Sequence, residues 1–437
     1  MNLSYLKQAY KSPEIRRRIL TVLALLVIFR LLSHVPVPVP DNAALARFLT
    51  ALFNSNAILG FANIFSGGAL QNFSIIMMGL GPYINASIII QLLSQVIPQL
   101  ESLKKEGEMG RRKLNQYTRL LTLPLAIAQA FGMVFLVQQT SLSMQGVDVI
   151  GKPNLLGWIM LITTITAGSL LLMWLGEIIT EKGVGNGISL IIFCGIIASL
   201  PASAGQLSSL VSGDPAKMVT AVGFLIAVVV VIAFIVVLNE GTRNIPVSYA
   251  KRTRSDRVYA GVDTHLPIRV ITAGVIPIIF ALAFLSIPGL LSQVLSHATT
   301  PWVAGLARNL SEWFSPNGWI YAASYFVLVI GFTYFYTSVV FNPKEIAENL
   351  QKQGGFIPGI RPGNQTMGYL QRVMNRITLA GATGLAIVAV LPFLARYLTN
   401  SQIFTIGGTS LLIVVSVALE TLKQLEAQAI TTSYEQY

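Results

Sequence analysis

Long apolar segments alternate with short polar ones along almost the whole chain. A helix needs roughly 20 predominantly apolar residues to cross the hydrocarbon core of a bilayer. The pattern predicts ten such spans, at approximately 17–33, 73–97, 117–138, 155–179, 184–201, 218–239, 270–295, 319–341, 373–395 and 403–422. An even number of spans places both termini on the same side of the membrane.

The stretch before the second span departs from this pattern. Residues 61–72, FANIFSGGALQN, are apolar enough to enter a bilayer but too short to cross it, and they are interrupted by Gly67 and Gly68. Non-spanning backbone survives at membrane depth only where it is buried in protein or lines a water-filled cavity. We therefore predict a re-entrant half-span beside a water-accessible path.

Composition and charge define the class and the orientation. Hydrophobic residues make up 53% of the 437 residues and charged residues only 11%, whereas soluble domains carry roughly 25% charged residues. This composition indicates an all-α polytopic membrane protein. Of the 30 Lys and Arg residues, 24 lie on the face that carries the two termini and the loops that follow even-numbered spans. Positive charge accumulates on the cytoplasmic side of a membrane, so both termini and these loops are predicted to be cytoplasmic.

Three cytoplasmic loops, at 99–119, 239–269 and 342–372, are longer than the topology requires. The second contains two β-rich runs, IPVSYAKR and RVYAGVD, around a basic tip, which predicts a hairpin. The third contains a short amphipathic helix, KEIAENLQK, followed by turns rich in glycine and proline. Long structured loops on one face usually dock a partner. Their basic tips favour an acidic protein surface or RNA phosphates.

The residues give no indication of catalysis. No span carries a carboxylate or histidine near its middle, where ion-coupled transporters need one. GVGNGIS at 183–189 lacks the lysine of a phosphate-binding loop. The single cysteine, Cys194, excludes an internal disulfide and is predicted to be a small buried filler. We therefore expect no enzyme, no metal and no cofactor. Arg30, a charge inside the first span, is predicted to snorkel to the outer interface.

Polar side chains within the spans, among them Asn85 and Gln129, should face other helices or water because they are costly against lipid. Branched apolar residues stand between them: Leu80, Ile84, Ile188, Ile192, Ile279 and Ile413. They are compatible with ordinary packing. They are equally compatible with a constriction that excludes water and ions by dewetting.

Several long motifs resemble the SecY family in order along the chain, from about Arg16 to Glu420. They include FSGGAL at 65–70, GPYINASIIIQLL at 81–93, EGEMGRRKLNQYTR at 106–119, WLGEIITEKGVGNGISLIIF at 174–193 and FNPKEIAENLQKQGGFIPGIRPG at 341–363. The resemblance implies ten transmembrane helices in two inverted five-helix halves around a central hourglass pore, closed by a re-entrant plug.

The implied organisation has a cytoplasmic tail at 1–16, an N-terminal half at 17–201, an external hinge loop at 202–217, a C-terminal half at 218–422 and a tail at 423–437. The implied function is the central subunit of the Sec protein-conducting channel. This passive gated conduit translocates unfolded secretory polypeptides and releases transmembrane segments sideways into lipid. The implied location is the bacterial plasma membrane, or a thylakoid membrane if the chain is cyanobacterial or plastid-type.

The resemblance also assigns roles to residues. The pore ring would be Leu80, Ile84, Ile188, Ile192, Ile279 and Ile413. The plug, within about 57–72, would include Phe61, Ala62, Asn63, Ile64, Phe65, Ser66, Gly67, Gly68, Ala69 and Leu70. The lateral gate would include Asn85, Ile88, Gln129, Ile271 and Thr272. Basic docking residues in the loops at about 240–269 and 342–372 would be Lys251, Arg252, Arg254, Arg257 and Arg361. Two positions depart from the family pattern: Leu80 stands where isoleucine is expected, and Ile271 where a polar gate residue is expected.

The partners implied are the small subunits SecE and SecG, the motor ATPase SecA or the ribosome at the cytoplasmic loops, signal peptides and nascent polypeptides, and membrane lipids. Two other interpretations stay open at this point. One is a small-solute transporter with inverted repeats and a midplane site made by broken helices. The other is a membrane scaffold whose basic loops only recruit ribosomes.

Overall fold

The computed structural model describes residues 12–39, 42–55, 63, 66–145, 151, 154–213, 217–249, 253–254, 257–258, 263–272, 274–295, 301–314, 318–399 and 407–435. The helices are α1 Pro13–Leu32, α2 Asn42–Ser55, α3 Gly81–Val96, α4 Pro98–Lys105, α5 Glu108–Gln145, α6 Leu155–Lys182, α7 Gly187–Gly213, α8 Lys217–Glu240, α9 Ile276–Leu295, α10 Pro301–Trp313, α11 Trp319–Val340, α12 Pro343–Lys352, α13 Asn364–Thr399 and α14 Gly407–Glu435. The strands are β1 Thr242–Tyr249, β2 Thr253–Arg254, β3 Arg257–Val258, β4 Asp263–Arg269 and β5 Gly355–Phe356.

Each predicted span overlaps a helix of this list. Five of the described segments are long and apolar enough to cross a membrane: Glu108–Leu142, Leu155–Lys182, Ala221–Glu240, Trp319–Lys352 and Asn364–Ala395. Two shorter apolar helices, Gly187–Ala202 and Ile276–Leu285, accompany them. The all-α polytopic class predicted from the sequence is confirmed.

Two predicted boundaries are wrong. The second span was expected to be helical from Phe73, but α3 begins at Gly81 and residues 66–80 form a succession of turns. Left-handed backbone at Gly67, Gly68 and Gly79 keeps these residues out of a helix. At the other boundary, α7 continues to Gly213 through most of the segment predicted as an external loop at 202–217.

Two further helices lie in segments that were predicted as outer loops. They are α2, at Asn42–Ser55, and α10, at Pro301–Trp313. Both are amphipathic and neither is long enough to span a bilayer.

The chain divides into two compact units. The first comprises Met1–Ala221, Ala283–Gly318 and Val417–Tyr437, and the second comprises Val222–Leu282 and Trp319–Ser416. The first break falls next to the boundary predicted between the two halves. Two segments of the predicted C-terminal half nevertheless belong to the first unit, so the units are not two uninterrupted stretches of sequence.

The core of the first unit is built from α2, α5, α6 and the turns at 66–80. Phe48 of α2, Val134 of α5 and Ile165 of α6 are buried together with Phe73 and Met77 of the turns. Burying a side chain of this size contributes about 1.5–3 kcal/mol. The turns are therefore an integral part of a packed core.

The second unit carries a small sheet in which β1 is the central strand. Strand β4 pairs with one edge of β1 in antiparallel register, with Ile245 opposite Leu266. Strand β5 pairs with the other edge, with Ser248 opposite Phe356. The predicted hairpin is confirmed, but its long return strand is Asp263–Arg269. Of the described residues in the RVYAGVD run, Arg257 and Val258 form β3, which pairs with β2, and Asp263 begins β4.

This sheet joins two loops that the sequence presented as separate. Ile245 and Val247 alternate inward on β1 and pack with Leu350 of α12 and with Leu370 and Met374 of α13. Asn342 caps α12 by accepting a hydrogen bond from the Glu345 backbone N–H. The loops at 239–269 and 342–372 therefore form one folded body.

Replacing Gly355 tests this union. A Cβ at Gly355 would lie 2.9 Å from the Tyr249 ring, whereas a Cβ at Gly368 meets nothing within 4 Å. We expect Gly355→Leu to displace Tyr249, to break the pairing of β1 with β5 and to destabilise this body by about 1–3 kcal/mol. Limited proteolysis of the loops at 239–269 and 342–372 should be faster in Gly355→Leu than in the matched control Gly368→Leu. Equal cleavage rates would contradict this account.

Candidate functional site

Arg30, in the last turn of α1, faces the half-span rather than the membrane surface. Its Nη1 donates a hydrogen bond to the carbonyl oxygen of Gly67 and lies 3.5 Å from Ser33 Oγ. Ser33 Oγ in turn donates to the carbonyl oxygen of Arg30 at 2.7 Å. The prediction that Arg30 snorkels outward is wrong, because a backbone acceptor lies within its reach inside the protein.

The end of α1 also binds the residues that follow the half-span. Asn72 Nδ2 donates to the carbonyl oxygen of Ser33 at 3.2 Å, and Ser74 Oγ donates to that of Leu32 at 2.7 Å. The last carbonyl groups of a helix have no partner within the helix. Here the turn segment supplies the partners, so helix end and turns are satisfied together.

A short antiparallel contact extends this attachment. The backbone N–H of Val37 donates to the carbonyl oxygen of Phe73 at 2.8 Å, and that of Ile75 donates to Val35 at 3.0 Å. Pro36 and Ser74 form the bridge between these two bonds.

Polar side chains fold the half-span itself. The carbonyl oxygen of Asn63 accepts from the Gly68 backbone N–H at 2.8 Å and from Ser66 Oγ at 2.9 Å. Asn63 Oδ1 accepts from the backbone N–H of Gln71 at 2.9 Å. The polar residues that made this segment unlike a span are thus the ones that close its turns. Of the predicted plug, Asn63 and residues 66–70 are described, and Phe61, Ala62, Ile64 and Phe65 lie outside the described residues.

The turns pass very close to neighbouring helices. At Gly67, where φ is +68°, a Cβ would lie 3.1 Å from both Gly195 Cα of α7 and Phe29 Cζ of α1. At Gly168 of α6, a Cβ would lie 1.9 Å from the carbonyl oxygen of Ile75. The half-span and its continuation are therefore held between α1, α6 and α7.

Phe73 is the one described non-glycine residue with positive φ, at 46°. Such a conformation costs on the order of 1–3 kcal/mol and persists only where the surroundings enforce it. The buried Phe73 ring and the hydrogen bond from Val37 provide those surroundings. Strained backbone of this kind concentrates at functional sites.

The predicted ring residues share a position in the fold, because each lies where a helix begins. Leu80 directly precedes α3, and Ile84 lies one turn later. Ile188 and Ile192 likewise lie one turn apart at the start of α7. Residues four apart on a helix share a face. In the second unit, Ile279 lies in the first turn of α9 and Ile413 in the second turn of α14.

Local interactions fix the start of α7. Asn186 caps the helix, because its Oδ1 accepts the backbone N–H of Ile188 at 3.1 Å. A Cβ at Gly187 would lie 1.9 Å from the carbonyl oxygen of Gly176, so this turn packs tightly on α6. Ile192 is 2% exposed, whereas Ile188 is half-buried. The ring role of these residues stays a prediction.

The residues assigned to the lateral gate lie on α3 and α5 in the first unit and before α9 in the second. Helices α3 and α5 pack against each other. Gln129 Oε1 lies 3.7 Å from the Cβ position of Gly81 at the start of α3. Asn85 is half-buried, whereas Ile88 is buried. Within the second unit Ile271 is buried, and Thr272 Oγ1 donates to Thr337 Oγ1 of α11 at 3.3 Å. The gate role of these residues also stays a prediction.

The docking residues are only partly described. Arg361 is exposed in the turns between β5 and α13, and its carbonyl oxygen accepts from Thr366 Oγ1 at 2.9 Å. Arg254 and Arg257 are paired in the tip formed by β2 and β3. Lys251 and Arg252 lie outside the described residues.

The loop at 99–119 contributes ion pairs that the sequence did not predict. Arg119 Nε of α5 lies 2.7 Å from Glu177 Oε1 of α6. The exposed pair of Lys105 and Glu101 is also 2.7 Å apart, and the hydrogen bond from Lys105 lowers the pKa of Glu101. Partial burial lowers the pKa of Lys104.

Within the described part of the chain, no group of three or more His, Cys, Asp or Glu could hold a metal ion. Cys194 carries a free thiol and is half-buried, which is less than full burial for the small buried filler that was predicted. It lies next to Gly195, against which the half-span packs.

Comparison with known proteins identifies the family. The SecY family model matches residues 74–422. The chain is 41% identical to protein translocase subunit SecY of Streptomyces scabiei over 98% of both chains, and 42% identical to that of Corynebacterium glutamicum over 99% of both. The SecY of Thermotoga maritima is 42% identical over 98% of this chain and 96% of its own.

Solved structures of the same fold are more distant in sequence. A structure from a study of how the SecY plug domain stabilises the closed channel matches with a TM-score of 0.66 at 20% identity, covering 96% of this chain and 94% of its own. A structure described as that of a protein-conducting channel matches with a TM-score of 0.63 and the same identity and coverage.

Fold and site together define a polytopic membrane protein with a re-entrant segment packed among its helices. The extent and level of similarity show that the chain belongs to the SecY family.

A cysteine pair tests the attachment of the turns. Pro36 and Ser74 form a non-hydrogen-bonded antiparallel pair, in which Cα atoms are about 4.5 Å apart, within the range of a disulfide. In a Cys194→Ser background, Pro36→Cys with Ser74→Cys should form an intramolecular disulfide in membranes. Mass spectrometry of proteolytic fragments should find the linked peptides only in the double variant. Unlinked fragments after mild oxidation would contradict the attachment.

Proposed function

We propose that this chain is the central pore-forming subunit of a protein-conducting channel. It carries unfolded secretory polypeptides across the membrane and releases apolar segments sideways into lipid. The observation that carries the proposal is the near-complete match to protein translocase subunits SecY, at 40–42% identity. The packed half-span at the end of α1 supports it, because non-spanning backbone at membrane depth belongs beside an aqueous path.

The proposed constriction is the ring of six branched apolar residues. An apolar constriction excludes ions and water by dewetting, and flexible branched side chains yield to an incoming polypeptide. Leu80, Ile84, Ile188 and Ile192 support this role by lying in pairs at the starts of α3 and α7. The half-span acts as the plug that seals the resting path.

The proposed path discriminates clients without a binding pocket. A client segment chooses between the aqueous path and the bilayer, and each charge at its centre disfavours the bilayer by about 2.5–3.5 kcal/mol. Signal peptides enter as apolar helices at the lateral gate residues, namely Asn85, Ile88, Gln129, Ile271 and Thr272.

The chain acts as a passive conduit and catalyses no reaction in this proposal. Its energy comes from SecA or from the ribosome, which dock on the cytoplasmic loops. The exposed Arg361 supports this docking, and so does the sheet that joins the two loops into one body. SecE and SecG are the proposed small subunits.

The proposed location is the bacterial plasma membrane, or a thylakoid membrane in a cyanobacterial or plastid setting, with both termini cytoplasmic. The excess of Lys and Arg in the long loops supports this orientation.

Crosslinking of a stalled secretory chain tests the proposed path. A photoreactive residue at Ile84 or Ile192 should crosslink to a partly translocated polypeptide. One at Val229, which is 65% exposed on α8, should not. Crosslinks at both ring positions but not at Val229 would support a polypeptide path. With the chain stalled and the complex intact, their absence would reopen the transporter and scaffold interpretations.

Charge reversal tests the docking surface. We expect Arg361→Glu to abolish motor-driven export while leaving membrane insertion intact, because the side chain is exposed and only its carbonyl group bonds within the turn. Arg47→Glu, an exposed change in α2 that is predicted to lie on the outer side, is the matched control. Normal export by Arg361→Glu in a vesicle assay would refute the docking role.

A further inference from the structure

We propose that Arg30 is the positioning residue that holds the plug in its sealed position, through the carbonyl group of Gly67. This inference rests on the proposed function, in which the half-span seals the path. It adds a specific contact, from a charged residue of α1 that neither the family resemblance nor the ring and gate assignments include.

The placement of the charge is the first argument. Arg30 belongs to the last turn of an apolar helix, where a cation is favoured by the helix dipole but costly against lipid. Charges within spans face the protein interior and pair with carboxylates or with backbone carbonyl groups. The guanidinium of Arg30 meets backbone, namely the carbonyl oxygen of Gly67.

The geometry of the acceptor is the second argument. The carbonyl groups on either side of it are used within the turns, because Ser66 O accepts from Ala69 N and Gly68 O accepts from Asn72 N. The carbonyl group of Gly67 is the one directed at α1. Gly67 also leaves no room for a side chain between Phe29 and Gly195. Arg30 therefore binds the plug at a glycine that packs closely on Phe29 of α1 and Gly195 of α7.

The division of the segment into a tip and a base is the third argument. The base, residues 72–77, is attached to α1 by two side-chain hydrogen bonds, by the contact of Pro36 with Ser74, and by buried Phe73 and Met77. The tip, residues 66–70, is buried through the side chains of Ala69 and Leu70, and apolar packing of this kind is non-directional. It meets α1 at Gly67, through apolar contact with Phe29 and through the hydrogen bond from Arg30. The tip can leave Arg30 while the base stays attached.

This arrangement suits a seal that must open repeatedly. The charged donor, Arg30, stays on α1, where Ser33 lies within hydrogen-bonding distance of it. The moving tip contributes only the neutral carbonyl group of Gly67. Release therefore leaves no unpaired charge on the moving segment, and the polar partners of Arg30 on α1 remain in place.

Ion conductance of the complete channel complex in liposomes tests the inference. The wild-type complex should be closed, and a deletion of residues 61–70 should conduct. We expect Arg30→Gln to raise the resting conductance about tenfold, as befits the loss of one charge-assisted hydrogen bond. The conductance of Arg30→Lys should lie between those of the wild type and Arg30→Gln, because an ammonium keeps the charge but has a different donor geometry. Arg47→Gln is the control and should match the wild type.

The outcomes separate this inference from the proposed function. If the deletion conducts and Arg30→Gln stays closed, the role of Arg30 is refuted and the plug remains. If the deletion stays closed, the half-span is not the seal, and this inference fails together with the proposed plug. The crosslinks at Ile84 and Ile192 then decide separately on the polypeptide path. The disulfide between Pro36→Cys and Ser74→Cys should still form in the Arg30→Gln background. A leak accompanied by loss of that disulfide would show that Arg30 only supports folding, and would overturn the positioning role.

Discussion

The need to satisfy backbone at membrane depth governs this structure. Residues 66–80 do not form a helix that satisfies itself, so their polar groups must find partners in the protein. Asn63 and Ser66 supply some of these partners within the segment, and the end of α1 supplies the others. The same contacts satisfy the last carbonyl groups of α1. The end of the helix and the turns thus supply each other's missing hydrogen-bond partners.

The hydrophobic pattern was sufficient to predict every span, because a bilayer requires a length and an apolarity that are legible in sequence. It was not sufficient to predict where helices start within an apolar run. Residues 73–80 are as apolar as a stretch of membrane-spanning helix. The glycines at 67, 68 and 79 and the contacts of Phe73 nevertheless hold them in turns. Such tertiary contacts leave no periodic signal.

Contacts between distant segments account for the other differences. Strand β5 contains only Gly355 and Phe356, too few residues for a strand pattern, and it exists because β1 offers a free edge. The partner of Arg30 lies 37 residues away, so the sequence showed an unusual charge without its acceptor. The resemblance to the SecY family named the ring, gate and docking residues, whereas local chemistry alone left packing and constriction equally open.

In the proposed function, docking a motor and sealing the path place opposite demands on the interactions within the chain. The proposed docking surface must withstand the force of a motor, and the buried apolar core of the body made by β1, β4, β5, α12 and α13 supports that proposal. A seal must instead yield to a polypeptide without unfolding the protein around it. In the proposed function, apolar side chains at helix starts and a tip that offers only a backbone carbonyl group to Arg30 give way and return, because neither leaves a charge stranded in the membrane. The sparse use of charge within the spans is thus a condition for reversible opening as much as for insertion.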